Sequence, residues 1–315
     1  MALLDLDGVL YLAEDPVPHA AEALAAAAEL GQRRAYVTNN ALRTPGEVAA
    51  KLRGLGVPAD ADDIVTSAQA AATILADRLP PGSAVLVTGG AGLLEAVRAS
   101  GFNIVDNADD TPAAVVLGYD PDLNYRRLAE ASLAIRRGAL FVACNRDATV
   151  PTPRGPLPGM GALTALVVTG SGCEPLVAGK PELALHAESV RRSGAQRPLV
   201  VGDRLDTDCE GARRAGTPSL LVLTGVTDVA ALCAAGPLQR PDLIAADLRG
   251  LLAAHPPASG GRCGAARARR EGDRIAVEAD SAPLDALRAA VSLCWEAVDQ
   301  GRPVPPIDGL PAAYG

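Results

Sequence analysis

Short apolar runs recur along most of the chain, each closed by a polar break and followed by a longer stretch with helical composition. The runs are "LLDL" (3–6), "AYVT" (35–38), "AVLVTGG" (84–90), "AAVVLG" (113–118), "LFVACN" (140–145), "LVAGK" (176–180), "PLVVGD" (198–203) and "PSLLVLTG" (218–225). They are continuous in hydrophobicity, not alternating, as strands buried on both faces of a parallel sheet must be. Between them, "HAAEALAAAAELG" (19–31) predicts an alanine-rich helix stopped by Gly31, and 91–100, 125–137, 182–193 and 207–215 predict further helices. In "TPGE" (44–47), Thr44 is an N-cap, Pro45 takes the first helical position and Glu47 completes a capping box. This β-α rhythm predicts an α/β protein built on a doubly wound, Rossmann-like parallel sheet.

The pattern changes near the C-terminus. "PPASGGRCGAARARR" (256–270), rich in Pro, Gly and Arg, predicts a linker with a basic end. A strand, "DRIAVEA" (273–279), and an amphipathic helix around 283–299 follow, the helix carrying Leu284, Leu287, Val291, Cys294 and Val298. A Pro-rich tail closes the chain.

Composition narrows the picture. A chain of 315 residues, 49% hydrophobic but only 3% aromatic, has material for more than one core, built from Ala, Leu and Val. A net charge of -8 argues against a general nucleic-acid binder, yet leaves room for a locally positive pocket that takes a small phosphorylated ligand. Six scattered cysteines and three histidines form no zinc pattern and read as reduced thiols of a cytoplasmic protein. No basic-then-apolar leader and no run of about 18 apolar residues is present, so neither secretion nor membrane spanning is expected. The first strand starts within two residues of Met1, and residues that would lengthen it are expected to be missing from this start.

Four stretches close predicted strands, at the ends where open parallel sheets bind ligands: "DLDGVLY" (5–11), "VTNNA" (37–41), "GKP" (179–181) and "GDRLDTD" (202–208). Asp5 and Asp7 lie two apart and so point to one side of an extended chain, although such a pair also suits a solvated turn. Asp206 and Asp208 fit a helix start as well as a site, whereas Asp203 directly follows the apolar run. Oxygen-only ligands of this kind suit Mg²⁺. Thr38 and Asn39 offer neutral donors for phosphoryl oxygens, or a polar turn. Arginine has displaced lysine almost everywhere, leaving only Lys51 and Lys180. Lys180, between Gly and Pro after an apolar run, therefore reads as a compact point charge in a tight site. Lys51, on the helix after the capping box, reads as an ordinary solvated lysine.

In their order, "DLDGVLY", "VTNN", "GKP" and "GDRLDTD" resemble the motifs of the haloacid dehalogenase superfamily of phosphohydrolases. The chain is similar in particular to the NagD-like or 4-nitrophenylphosphatase subgroup, over roughly residues 3 to 250. "VVLGYDPDLNY" (115–125) and "CNRDATVPTPRGPLPGMGAL" (144–163) resemble the substrate-facing segments of that subgroup's cap, with Arg146 where the subgroup usually has proline. The acidic chain with its extra C-terminal part looks most like the actinobacterial glycerol-3-phosphate phosphatases.

The resemblance implies a core over 1–68 and 177–255, an inserted α/β cap over 69–176, and a linker with a small extension over 256–315. It implies Asp5 as nucleophile and Asp7 as acid and base. It implies Mg²⁺ held by Asp5, Asp7 and Asp203 with Asp208 in support, and phosphate contacts from Thr38, Asn39 and Lys180. Asn145, Arg146 and Asp147 would form a specificity loop in the cap, unless they are a surface loop with an exposed arginine. The expected activity is hydrolysis of small phosphate monoesters, glycerol 3-phosphate first, with nucleotides, pyridoxal phosphate or sugar phosphates as alternatives. A receiver-like switch phosphorylated on aspartate is the non-enzymatic alternative, against which a cap-sized insertion and the position of Asp7 both speak. The expected partner is a small phosphorylated metabolite, with no nucleic acid and no membrane. A homodimer through the cap or the C-terminal extension is the further expectation.

Overall fold

The computed structural model describes residues 1–150, 152, 154–278 and 282–310. The chain forms two compact units, Met1–Leu6 with Ala13–Asp15 and Arg33–Pro198, and Asp7–Leu12 with Pro16–Gln32 and Leu199–Gly315.

In the first unit, β1 (Ala2–Leu4), β2 (Arg34–Thr38) and β3 (Ile64–Thr66) pair in parallel, with Leu3 beside Ala35 and Tyr36 beside Ile64. These strands are almost wholly buried, which the continuous apolar runs anticipated. The helix Pro45–Gly54 starts as expected: Thr44 Oγ1 accepts from the Glu47 N–H at 3.3 Å and the Glu47 carboxylate accepts from the Thr44 N–H at 2.7 Å. The Thr44 N–H and, at 3.0 Å, Thr44 Oγ1 both donate to the Glu47 carboxylate and hold it below its ordinary range.

A second sheet of the same unit contains β4 (Ala84–Thr88), β5 (Asn103–Val105), β6 (Ala114–Leu117), β7 (Leu140–Ala143) and β8 (Leu176–Val177). All pair in parallel, in the order β8-β7-β6-β4-β5. Its core joins Leu86, Val115 and Leu117 to Leu128 and Ile135 of the helix Tyr125–Arg136 and to Met160 and Val167 of the helix Met160–Ser171. The pattern of the sequence hid that last helix, because "MGALTALVVTGS" carries no charge and so has no polar face to reveal a period. The helix Ser67–Ala76 was hidden for another reason. It follows β3 with no break, and Thr66 serves as both the last strand residue and the N-cap.

In the second unit, β9 (Leu199–Gly202), β10 (Ser219–Val222) and β11 (Leu243–Ala245) run parallel, with Val200 beside Ser219 and Leu220 beside Leu243. The helix Ala20–Glu29 ends before Gly31, which has φ +78. Where one helix was expected over 207–215, a π-helical turn, Leu205–Cys209, leads into a short α-helix, Glu210–Arg214. The wider π turn directs Asp206 to solvent and Asp208 inward.

The expected linker is not a linker. Residues 256–270 hold β12 (Ala258–Ser259), β13 (Arg262–Cys263) and most of β14 (Ala266–Glu271), which continue into β15 (Arg274–Val277) as an antiparallel ladder. β16 (Ile307–Asp308) joins β15 in parallel. In "ARARR", Ala266 and Ala268 are buried, Arg267 between them is half-buried and Arg269 is exposed, a period-2 start that the charge disguised. The helix Pro283–Asp299 lies where expected and packs Leu287, Val291 and Cys294 into one cluster with Leu221, Leu232 and Ile244. Ala279 of the expected strand, Pro151 and Pro153 of the expected substrate-facing segment, and 311–315 of the tail lie outside the described residues.

The six cysteines are free, five of them buried and Cys173 exposed. Among the described residues, no helix is long and apolar enough to cross a membrane.

Candidate active site

The first unit gathers a charged pair and an amide network at strand ends. Asp5 follows β1, and the Lys180 Nζ donates to its Oδ1 at 2.7 Å, the two side chains being 13% and 11% exposed. Low exposure on both sides makes this an ion pair shielded from water, unlike a surface salt bridge. Thr38 ends β2, is buried, and its Oγ1 accepts from the Asn40 N–H at 3.0 Å, so its hydroxyl proton is available to donate elsewhere. The Asn39 carboxamide, expected to meet a phosphoryl group, is engaged within the protein. It accepts from the Lys180 N–H at 2.8 Å and donates to the Lys180 carbonyl at 3.2 Å and to the Asp147 carboxylate at 3.2 Å.

The expected cap residues divide. Asn145 is buried and donates to the Asn39 carbonyl at 2.7 Å, and its own Oδ1 accepts from the Asp147 N–H at 3.0 Å. Arg146 is exposed and pairs with Glu174. Lys51 departs from its expected solvation: its Nζ donates to the Ala13 carbonyl at 2.7 Å and faces Glu14 at 3.6 Å, with its side chain mostly covered.

The second unit gathers the carboxylates of "GDRLDTD" around the "DGVLY" turn. Asp7 is exposed at the start of that turn. Gly8 has φ +79, and a Cβ on it would overlap the Asp203 carboxylate, so glycine is needed here for both conformation and space. Thr224 Oγ1 donates to the Gly8 carbonyl at 2.6 Å, and the Val226 N–H donates to Asp203 Oδ2 at 2.7 Å. Sequence reasoning missed this support, although "TGV" (224–226) after a buried strand was a polar break like the other four.

Asp203 and Asp208 are both buried, and each places a carboxylate oxygen within 4.8 Å of the other's. The Arg204 N–H donates to Asp208 Oδ2 at 3.2 Å. Two buried carboxylates this close favour a bound cation, and an all-oxygen donor set fits Mg²⁺. Asp206 has no such place. It is exposed and held by Arg204 at 3.0 and 2.7 Å, hydrogen bonds that keep its carboxyl below the usual range.

A shielded lysine beside a strand-end carboxylate and a buried threonine in the first unit, and an oxygen-lined place for a divalent cation in the second, are each features that phosphoryl transfer uses. The family models agree with that class. Residues 2–103 match the haloacid dehalogenase-like hydrolase model, and residues 177–251 match a HAD-hydrolase-like model. The D-glycerol 3-phosphate phosphatase of Mycobacterium tuberculosis is 45% identical over 304 residues, covering 94% of this chain and 85% of the relative. The structure of a glycerol phosphate phosphatase from that organism in complex with magnesium superposes with a TM-score of 0.87 at 43% identity, covering 98% of this chain and 92% of that one. A p-nitrophenyl phosphatase from Archaeoglobus fulgidus gives a TM-score of 0.74 at 30% identity, over 80% of this chain and 97% of that one. The chain belongs to the haloacid dehalogenase-like hydrolases, and its parallel sheets with covering helices are the α/β fold of those structures, cap included.

Proposed function

We propose that this hydrolase is a Mg²⁺-dependent phosphatase of small phosphate monoesters, with glycerol 3-phosphate as its substrate. The observation that carries the reading is the 45% identity to a D-glycerol 3-phosphate phosphatase along 94% of the chain. The shielded pair between Lys180 and Asp5 supports it from the structure.

Asp5 attacks the phosphorus in line, forming an aspartyl-phosphate as the P–O bond to glycerol breaks. Asp7 gives a proton to the departing alkoxide, then takes one from the water that attacks the aspartyl-phosphate; inorganic phosphate leaves and both carboxyls return to their starting states. The different surroundings of the two acids, one facing a lysine and one open to water, support this division of work. Lys180 and Thr38 meet the phosphoryl oxygens. Asp5, the Asp7 carbonyl and Asp203 would hold the Mg²⁺, with Asp208 beside Asp203. Bound there, the ion supplies positive charge to the phosphoryl oxygens as the transfer proceeds.

Residues 69–176 serve as the cap that excludes water and selects the substrate. Within it, exposed Arg146 is the candidate for discrimination among esters, and Arg146→Ala should change kcat/KM unequally across a panel of them. The free cysteines support a reducing, cytoplasmic setting. Dimerisation through the cap or the C-terminal extension is a further proposal, checked by mass in solution. Phosphate release from glycerol 3-phosphate, nucleotides, pyridoxal phosphate and sugar phosphates tests the substrate; equal or faster release from another ester would displace glycerol 3-phosphate.

A further inference from the structure

Asn39 acts on Lys180 through both ends of its carboxamide. Its Oδ1 accepts from the Lys180 N–H at 2.8 Å and its Nδ2 donates to the Lys180 carbonyl at 3.2 Å, so the side chain pairs with that residue as a neighbouring strand would. A third partner fixes the amide's orientation. The Asp147 carboxylate, which can only accept when ionised, receives Nδ2 at 3.2 and 3.4 Å. The backbone beneath is held too: the Asn39 carbonyl accepts from Ser67 Oγ at 2.6 Å and from Asn145 Nδ2 at 2.7 Å. Gly179 makes the approach possible, since a Cβ there would overlap Asn39 Oδ1 and crowd the Cys144 carbonyl. From this anchored backbone the Lys180 side chain reaches Asp5.

We infer that Asn39 and Asp147 are positioning residues that fix the Lys180 backbone and thereby aim its ammonium at Asp5. The inference rests on the reading of Lys180 as the cation that meets the phosphoryl group. It reassigns both residues: Asn39 from direct phosphate contact, and Asp147 from substrate discrimination. A positioning defect falls on the phosphoryl group, which every ester shares, so the loss must not depend on the alcohol.

The test is steady-state hydrolysis of glycerol 3-phosphate and 4-nitrophenyl phosphate at saturating Mg²⁺. The proteins are the wild type, Asn39→Ala, Asp147→Ala, Asp147→Asn, Lys180→Ala and the Asp147→Ala/Lys180→Ala double variant, each checked by thermal unfolding. Asn39→Ala and Asp147→Ala should each lower kcat/KM by about tenfold to a hundredfold, the scale of a small misplacement of a catalytic group. The factor should be the same for both esters. Asp147→Asn keeps an accepting oxygen and should stay within about threefold of wild type. In the Lys180→Ala background, Asp147→Ala should add less than about twofold, because the residue it positions is gone. Wild-type activity of Asp147→Ala, a loss confined to one ester, or a loss undiminished in the Lys180→Ala background would each overturn the inference. Full activity of Lys180→Ala would instead remove the reading beneath it, and the inference with it.

Discussion

Asp5 and Asp7 are two residues apart, yet one is shielded beside Lys180 and the other is open to water. If Asp5 is the nucleophile, Asp5→Asn should lower kcat by at least about 10³-fold, the scale at which loss of such a group registers. Asp206, held at the surface by Arg204, provides the contrast: Asp206→Asn should leave kcat/KM within about twofold, as surface substitutions generally do. Gly8→Ala should raise the Mg²⁺ concentration needed for half-maximal activity, because the added Cβ displaces the Asp203 carboxylate. An unchanged Mg²⁺ requirement would show that Asp203 does not serve the ion. Lys180 was legible in the sequence because it is one of only two lysines. The work of Asn39 was not, because its partners Asp147 and Lys180 lie 108 and 141 positions away. Lys51 misled for the same reason, since its acceptor at Ala13 lies 38 positions away and no local pattern announces it.

Among the elements, strands buried on both faces were legible from their continuous apolar runs, and the helix Pro45–Gly54 from its cap. The helix Met160–Ser171 and the strand Ala266–Glu271 were not: one is apolar all round, and the other hides its alternation behind arginines. Helices Ser67–Ala76 and Leu183–Ser193 meet at a feature that also lacks a local sign. Buried Glu188 accepts from Thr73 Oγ1 at 3.1 Å and from Arg191 at 3.0 and 2.6 Å, and pairs with Arg192. Burial pushes the Glu188 carboxyl up, but the hydrogen bonds from Arg191 and Arg192 outweigh it and hold it below its ordinary value. A carboxyl lowered in the folded state adds stability that is present above its unfolded value, near about 4.3, and lost as pH falls through the folded one. Glu188→Gln should therefore lower Tm at neutral pH, by an amount that shrinks as the solution is acidified below that value. A Tm difference independent of pH would contradict this account.

For the molecule as a whole, the C-terminal residues are part of a core and not an appendage. Leu287, Val291 and Cys294 share a cluster with Leu232 and Ile244, and buried Arg288 Nε donates to the Ile244 carbonyl at 3.0 Å. Arg240 clasps Asp299 at 2.8 and 2.7 Å and lies 5.3 Å from the centre of the Trp295 ring. A chain ending at residue 255 should thus unfold at a lower temperature than the full chain, and an equal Tm would refute a shared core. Trp295 is the only tryptophan, so Arg240→Ala should change the emission of the full chain directly. Phosphate-ester hydrolysis through Asp5 with Mg²⁺ is checked by following inorganic phosphate released from glycerol 3-phosphate with Mg²⁺, with a chelator, and with Asp5→Asn. Many turnovers per enzyme with Mg²⁺, and almost none in the other two reactions, is the predicted result; sustained turnover by Asp5→Asn would contradict it.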